Sequence, residues 1–254
     1  MPLDMPWIRA QLPGREIEWL EVTDSTMRDA ARLAAGGCPS GTAVVAEEQL
    51  AGQGRQGRSW HSERDSGLYV SVVLRLPLRA EDTPALTLAL RLATAEAIAR
   101  TADVASDLRW PNDVLVAGKK CAGILVQLAD SVFIAGIGIN VNHSAFPEEL
   151  AAAAMSLRLV SGITQSRERL LVNLLRAVDS FARMLVDGGK APVLRAFARA
   201  SSYACGKRVI VEQGDAAIQG TTDGLDASGF LYLRKDDGER SLILAGGVRP
   251  AADG

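Results

Sequence analysis

The spacing of apolar residues changes several times along the chain, and each change marks an element. Glu16 to Val22 and Thr42 to Ala46 (Thr-Ala-Val-Val-Ala) are short, apolar and β-branched, and predict strands. Leu68, Val70, Val72, Leu74 and Leu76 alternate with other residues, which is the period of a strand. Val132 to Val141, apolar except for Asn140, is read as a buried strand in which Gly136 and Gly138 allow a close approach to the backbone. Between these lie helical patterns. Asp24 to Asp29 opens a helix that stops at Gly36-Gly37, with Thr26 and Asp29 at capping-box spacing. Thr83-Pro84 reads as an N-cap followed by proline, and Leu86, Leu90, Ala93 and Ala97 share one helical face. Alanine-rich Pro147 to Leu159 reads as helical. Ser166 caps a long helix with Leu171, Leu174, Val178, Phe181 and Leu185 on one face, ending at Gly188-Gly189, and Ala191 to Ser201 forms a further helix. Residues 1–15, with Pro2, Pro6, Pro13 and Gly14, predict no regular element.

Two regions depart from this alternation. Asp107 to Val116 reads as a strand, a proline-anchored turn and a second strand. Ala117 to Lys120 makes another turn, and Cys121 to Leu128 returns through Gly123. From Gly206 onward, Val209-Ile210-Val211, Ala217-Ile218, Phe230 to Leu233 and Leu242 to Leu244 are short strands between glycine turns, the pattern of a small β-barrel. Strands and helices follow one another irregularly rather than as βαβ units, which predicts an α+β fold. The division expected is one domain over residues 1–203 and a barrel over 204–254.

Composition narrows the function. With 254 residues, 48% of them hydrophobic, the chain can bury a full core, and a net charge of -2 gives no bulk attraction to nucleic acid or membrane. Cys38, Cys121 and Cys205 are scattered and form no Cys-x-x-Cys pair, as expected of free thiols in the cytoplasm. The two histidines offer little for a zinc site, and the metal ligands stay unknown. No signal peptide or membrane span is visible.

The densest chemistry lies in Gln49-Leu-Ala-Gly-Gln-Gly-Arg-Gln-Gly-Arg-Ser-Trp60. Gly52, Gly54 and Gly57 let the backbone bring its N–H groups close to a ligand, Arg55 and Arg58 suit carboxylate or phosphate oxygens, and Trp60 adds a flat ring. The spacing matches Gly-x-Gly-x-x-Gly, but the Rossmann reading requires a helix to open at the glycines. A period-two strand follows instead, so no helix N-terminus is available for a pyrophosphate. The remaining unusual polar groups are Ser25-Thr26, the Arg109 to Lys120 stretch and Asn140, all at strand ends or turns. No nucleophile–base pair is evident. Cations, backbone donors and a stacking ring suit a reaction between two anions, such as nucleotide activation of a carboxylate.

Four motifs occur in order: Gly52-Gln-Gly-Arg-Gln-Gly-Arg-Ser-Trp60, Arg109-Trp-Pro-Asn-Asp113, Lys120-Cys-Ala-Gly-Ile-Leu125 and Gly136-Ile-Gly-Ile-Asn140. In these the chain, from about Ser25 to its end, resembles the biotin–protein ligases, also called biotin–[acetyl-CoA-carboxylase] ligases. The resemblance is to the monofunctional type, without an N-terminal DNA-binding domain. It implies a mixed-sheet catalytic domain related to class II aminoacyl-tRNA synthetases, with an SH3-like C-terminal barrel. It implies attack of biotin on ATP, with magnesium, to give biotinyl-5′-AMP and pyrophosphate, then transfer to a lysine of the biotin carboxyl carrier protein of acetyl-CoA carboxylase.

Carried over by motif, Lys120 and Arg55 are the catalytic cations. The biotin site comprises Ser25, Thr26, Met27, Gln49, Gln53, Gly54, Arg55, Gly123 and Lys120. The ATP or adenylate site comprises Gly52, Arg55, Gln56, Arg58, Trp60, Asn112, Asp113 and Asn140. Gln53 stands where many members have arginine, Arg109 where lysine is commoner, Met27 where asparagine is frequent, and Gly246-Gly247 where Ala-Gly-Glu is usual. The stretch ahead of Ser25 is too short for a helix-turn-helix domain, so no DNA partner is expected. A lipoate ligase would show Arg-Arg-x-x-Gly-Gly-Gly, which is absent. A carrier-binding adaptor would not need convergent anion-binding groups. The sequence leaves open whether the chain is a monomer or a homodimer.

Overall fold

The computed structural model describes residues 1–213 and 216–251, and of Gln56 the backbone alone. The larger part is built on a seven-stranded sheet of order β1-β2-β3-β7-β6-β5-β4. Its strands are β1 (Ile17–Thr23), β2 (Ala43–Gln49), β3 (Gly67–Leu74), β4 (Asp107–Arg109), β5 (Asp113–Val116), β6 (Lys119–Ala129) and β7 (Val132–Asn140). β1 and β2 run parallel and all other neighbours antiparallel. The helices are α1 (Met5–Gln11), α2 (Thr26–Ala35), α3 (Thr83–Ala102), α4 (Glu148–Ala151), α5 (Leu157–Ser161), α6 (Arg167–Gly188) and α7 (Lys190–Ala200). None of the described helices is long and apolar enough to cross a membrane.

The two faces of the sheet are covered differently. Val45, Val70, Val72, Ala135, Ile137 and Ile139 join the main core with apolar residues of α1, α3 and α6. On the other face Val44, Val73, Val132 and Ile134 pack only against α2, through Met27 and Ala30. Every residue of β3 is buried as a result, although its period-two pattern reports one face. Because α2 covers only part of its face, Gly138 of β7 and Gly123 of β6 are left partly accessible beside it.

Five sequence expectations need correction. Residues 4–11 form a helical start where none was expected. The Asp4 carboxylate accepts from the Trp7 amide and Pro6 lies in the first turn, where proline is tolerated, while Met5 and Ile8 are buried. The Thr26–Asp29 capping box does not form. Asp29 accepts instead from Thr23 Oγ1 at 2.5 Å, and Ser25 holds the N-cap position without a side-chain bond. The cap of α3 is Asp82, one residue earlier than expected, and Thr83 donates back to Ala80 O at 2.7 Å. The alanine-rich stretch from Pro147 to Leu159 is not one helix. It breaks after Ala151, because Ala153 O accepts from the Lys120 amide at 2.8 Å and the Met155 amide donates to Lys120 O at 2.9 Å. This strand-like pairing overrides alanine's helical propensity. Lys119 and Lys120 accordingly belong to β6 rather than to the turn before it.

The C-terminal strands β8 (Cys205–Gln213), β9 (Ala216–Leu225), β10 (Leu231–Arg234), β11 (Arg240–Ile243) and β12 (Gly247–Pro250) form an antiparallel sheet of order β11-β10-β9-β8-β12. It buries Val209, Val211, Leu231, Leu233, Ile243 and Val248. Trp110 Nε1 donates to Gly229 O at 3.1 Å, and Ser201 Oγ to Leu108 O at 2.5 Å. These bonds fasten the β9–β10 turn and the segment before β8 to the β4 edge of the large sheet.

Candidate active site

Glycines make the floor of the site. Gly123 on β6 lies directly opposite Gly138 on β7, and Leu125 opposite Gly136. A Cβ on Gly136 would stand 2.5 Å from Met27 Sδ, one on Gly138 2.4 Å from the Trp60 ring, and one on Gly123 2.7 Å from it. Side chains there would exclude both Met27 and Trp60. The bare backbone therefore forms a trough below α2, and the trough deepens into a cavity of about 580 Å³. Successive same-face residues of a strand are roughly 6.6 Å apart. β7 thus sets an axis running from Gly136 under Met27, through Gly138 under Trp60, to Asn140, whose amide donates to Lys120 O at 3.4 Å.

One end of this axis is neutral and polar. Gln49, at the end of β2, accepts through Oε1 from the Thr26 amide at 2.9 Å and from Thr26 Oγ1 at 3.0 Å. Thr26 Oγ1 also lies 2.8 Å from Ser71 Oγ of β3, and Gln49 Nε2 donates to Ser62 Oγ at 3.0 Å. The first turn of α2 is pinned to two strands in this way.

The glycine stretch folds over the trough as a tight hairpin. Gln53 bridges Ser59, the Gly54 amide donates to Arg58 O at 2.7 Å, and the Trp60 amide to Gly52 O at 2.8 Å. Arg55–Gly57 forms a 3-10 turn that Gly57 closes at φ +73°. Gly52 needs its missing side chain because a Cβ would meet Trp60 O at 2.8 Å.

The other end is cationic. Asp113 sits between two cations, with Oδ2 2.8 Å from Arg109 NH2 and Oδ1 2.8 Å from Lys120 Nζ. The lysine contact is a close ion pair that is poorly angled for a hydrogen bond, so Oδ1 has no aligned donor. Burial works against the Asp113 charge, yet Lys120 and Arg109 outweigh it and hold the carboxyl below its usual range. Arg55 NH1 donates to Asn112 Oδ1 at 3.2 Å, tying the hairpin to the proline turn. Burial pulls the Arg55 guanidinium below its ordinary value, with Asp113 opposing. Lys120 Nζ stands 5.3 Å from the centre of the Trp60 ring. Behind this cluster Arg91 of α3 is fully buried. It donates to Arg109 O at 3.1 Å and stacks on Phe197 at 4.4 Å, and burial pushes it down to about 9.

The structure brings most of the sequence-derived residues to one cavity. Thr26, Met27, Gln49, Gln53, Gly54, Arg55, Arg58, Trp60, Asn112, Asp113, Lys120, Gly123 and Asn140 all line it. Ser25 does not: its Oγ is buried beneath the start of α2 without a hydrogen-bond partner. Gly52 shapes the hairpin from behind the wall. The Gln56 side chain lies outside the described residues. Sequence reasoning missed Phe146, the small residues Ala152 to Ala154, and from the C-terminal sheet Glu212 and Arg249, which pair at 2.7 Å. Glu212 faces Gly247 across the β8–β12 ladder. The departure at Gly246-Gly247 was the available signal for these last two.

Comparison with known proteins agrees with this arrangement. Residues 19–144 match the biotin/lipoate A/B protein ligase family, and residues 204–248 match the biotin protein ligase C terminal domain. The bifunctional ligase/repressor BirA of Bacillus subtilis is 33% identical over 94% of this chain and 75% of its own length. The biotin–[acetyl-CoA-carboxylase] ligase of Mycobacterium tuberculosis is 34% identical over 97% of this chain and 94% of its own. The biotin protein ligase of Aquifex aeolicus, solved in complex with biotin and ATP, superposes with a TM-score of 0.83 at 31% identity. That match covers 93% of this chain and 99% of the other. With glycine-floored trough, arginine hairpin and paired lysine all present in one fold, the chain belongs to the biotin/lipoate A/B protein ligase family, among its biotin protein ligases.

Proposed function

We propose that the trough carries out both halves of an ATP-dependent biotinylation, with biotin lying along β7 and the nucleotide at the Asn140 end. The chain is a ligase that activates biotin as biotinyl-5′-AMP and passes it to a lysine of the biotin carboxyl carrier protein of acetyl-CoA carboxylase. The observation that carries the residue assignments is the polarity of the one cavity: neutral hydrogen-bonding groups at Thr26 and Gln49, and cations at Arg55, Arg58 and Lys120.

Biotin has a neutral ureido head and an anionic tail, so this gradient orients it. Thr26 and Gln49 offer the head donors and acceptors, and Met27 and the bare backbone of Gly123 and Gly136 offer it flat apolar contact. Ser25, at the N-cap of α2, carries a hydroxyl with no partner in the protein, free to bond the head group beside Thr26. The carboxylate then lies near Arg55 and Lys120, and so does the α-phosphate it must attack. Those cations offset the repulsion between two anions and stabilise charge that builds up in the transition state. Asp113 holds Lys120 in place, Trp60 gives adenine a stacking surface, and Asn112 and Asn140 border it. Gln53 and Gly54 close the hairpin over the phosphate. We assign the carboxylate contributed by the C-terminal sheet to Glu212, beside the glycine that stands where the usual pattern has glutamate.

Magnesium is expected with ATP. The two carboxylates lining the cavity among the described residues, Asp113 and Glu212, are already ion-paired. They fit an ion carried mainly by phosphate oxygens and water, with at most one protein ligand, and such an ion would neutralise phosphate charge. A division into residues 1–203 and 204–254 is supported by the separate sheets, and a cytoplasmic setting by the free thiols Cys38, Cys121 and Cys205. The test is incubation with labelled biotin, MgATP and a carrier domain. Label on the carrier lysine is expected; labelling by lipoate and not by biotin would reject this reading.

A further inference from the structure

The sequence gives no reason to join His61, at the foot of the glycine hairpin, to His143, just beyond β7. The fold joins them. One ligand atom from each of His61, Glu63 and His143 lies within 4.8 Å of the others, and the two imidazole rings are 6.0 Å apart. His143 is 0% exposed, and neither of its ring nitrogens has a hydrogen-bond partner. Stacking on Phe146 at 5.0 Å fixes the plane of this ring without using either nitrogen. An imidazole retained for packing alone would be expected to bond at least one of them. Glu63 is held as well: its backbone oxygen accepts from Tyr69 OH at 2.8 Å and its Oε1 from Ser66 Oγ at 2.8 Å, leaving Oε2 free.

We propose that His61, Glu63 and His143 form a site for a borderline divalent transition-metal ion of the zinc class, distinct from any magnesium carried by ATP. Two imidazoles and a carboxylate suit such an ion, whereas magnesium prefers oxygen donors alone. With His143 fixed, zinc–nitrogen bonds of about 2.0 Å require the His61 and Glu63 donors to close toward it by roughly 1–2 Å, within the reach of side-chain rotation at half-exposed His61 and exposed Glu63. The fourth position falls to water. The bound ion ties the foot of the hairpin that ends at Trp60 to the segment leaving β7. The site stands independently of the roles given to residues in the cavity.

The test is titration of the full chain with Co2+, read by visible d–d absorption, with Zn2+ and Mg2+ as competitors. One equivalent should bind, be displaced by Zn2+, and stay bound in excess Mg2+. Glu63→Gln and His61→Ala, both at positions reached by solvent, should each weaken binding by about tenfold or more. Alkylation of the exposed Cys205 should leave binding unchanged. A wild-type chain without a cobalt spectrum, binding undisturbed by both substitutions, or binding lost on alkylation would each overturn the site.

Discussion

Lys120 and Asp113 carry opposite charges in one small volume, and they should respond differently to substitution. If Lys120 neutralises charge at the reacting phosphate, Lys120→Ala should cost at least about 2.7 kcal/mol of transition-state stabilisation. Asp113 keeps Arg109 as a partner, so the fold should survive. Rapid-quench measurement of biotinyl-5′-AMP formation decides it. A rate within threefold of the parent chain would move the role to Lys119, which is half-buried and donates to Ala151 O. Asp113 makes a pH prediction. Its carboxyl is held below the usual range in the folded chain. The stability this gives is fully present above the carboxyl's unfolded value and is lost as pH falls through the lowered folded one. Asp113→Asn should therefore be less stable than the parent by a constant margin at neutral pH. That margin should shrink only below about pH 4. Urea unfolding of both chains across this range would show it, and a margin already closing near pH 6 would contradict the assignment.

At the scale of elements, the hairpin from Gly52 to Trp60 is joined to the proline turn by Arg55 and Asn112. With three glycines in the stretch, few side-chain contacts hold it down otherwise. Closure over the trough would keep the labile mixed anhydride from water until the carrier lysine arrives. Arg55→Gly should still form biotinyl-5′-AMP but release it early, so that labelled biotin appears on a bystander protein added to the assay. A variant that labels no bystander while still making adenylate would remove Arg55 from this role. The hairpin was legible as an anion-binding loop because its chemistry is local: glycines, arginines and a tryptophan within a dozen residues. The wall opposite it was not. Ala152 to Ala154 look like helix, and only the pairing of Lys120 with Ala153 and Met155 draws them into the site.

At the scale of the whole molecule, one buried ion pair joins distant parts of the chain. Glu47 of β2 accepts from Arg167 of α6 at 2.7 Å, from the Leu3 amide at 2.7 Å and from Trp19 Nε1 at 2.9 Å. Arg167 and Glu47 are 4% and 0% exposed. Removing one partner strands the other charge, so Arg167→Met should lower stability by about 3–5 kcal/mol. The double variant with Glu47→Leu should recover much of that loss. Urea unfolding of the single and double variants checks both, and a single-variant loss below about 1 kcal/mol would show that the pair is not structural. Such a pair cannot be seen in sequence, where its members are far apart and look like ordinary surface charges. The same holds for Glu212, which reaches the cavity only because β8 lies beside β12. The strand read from Leu68 to Leu76, which the fold ends at Leu74, the strand read from Val132 to Val141, and the order of the four motifs were legible because each is written in consecutive residues. Burial of both faces of β3 was not, since covering the second face depends on where α2 docks.

The indole of Trp60 rests on Gly123 and Gly138 with its N–H buried and unbonded, close to an ammonium group. The chain has four tryptophans, and the other three lie away from the trough: Trp7 is surface-exposed, Trp19 is bonded to Glu47 and Trp110 to Gly229. Any molecule entering the trough must displace, cover or polarise that one ring. The protein thus has a built-in optical gauge of occupancy. Its ultraviolet emission should shift in colour or intensity as biotin is added, without label or dye, and Trp60→Phe should leave the remaining emission indifferent to the vitamin.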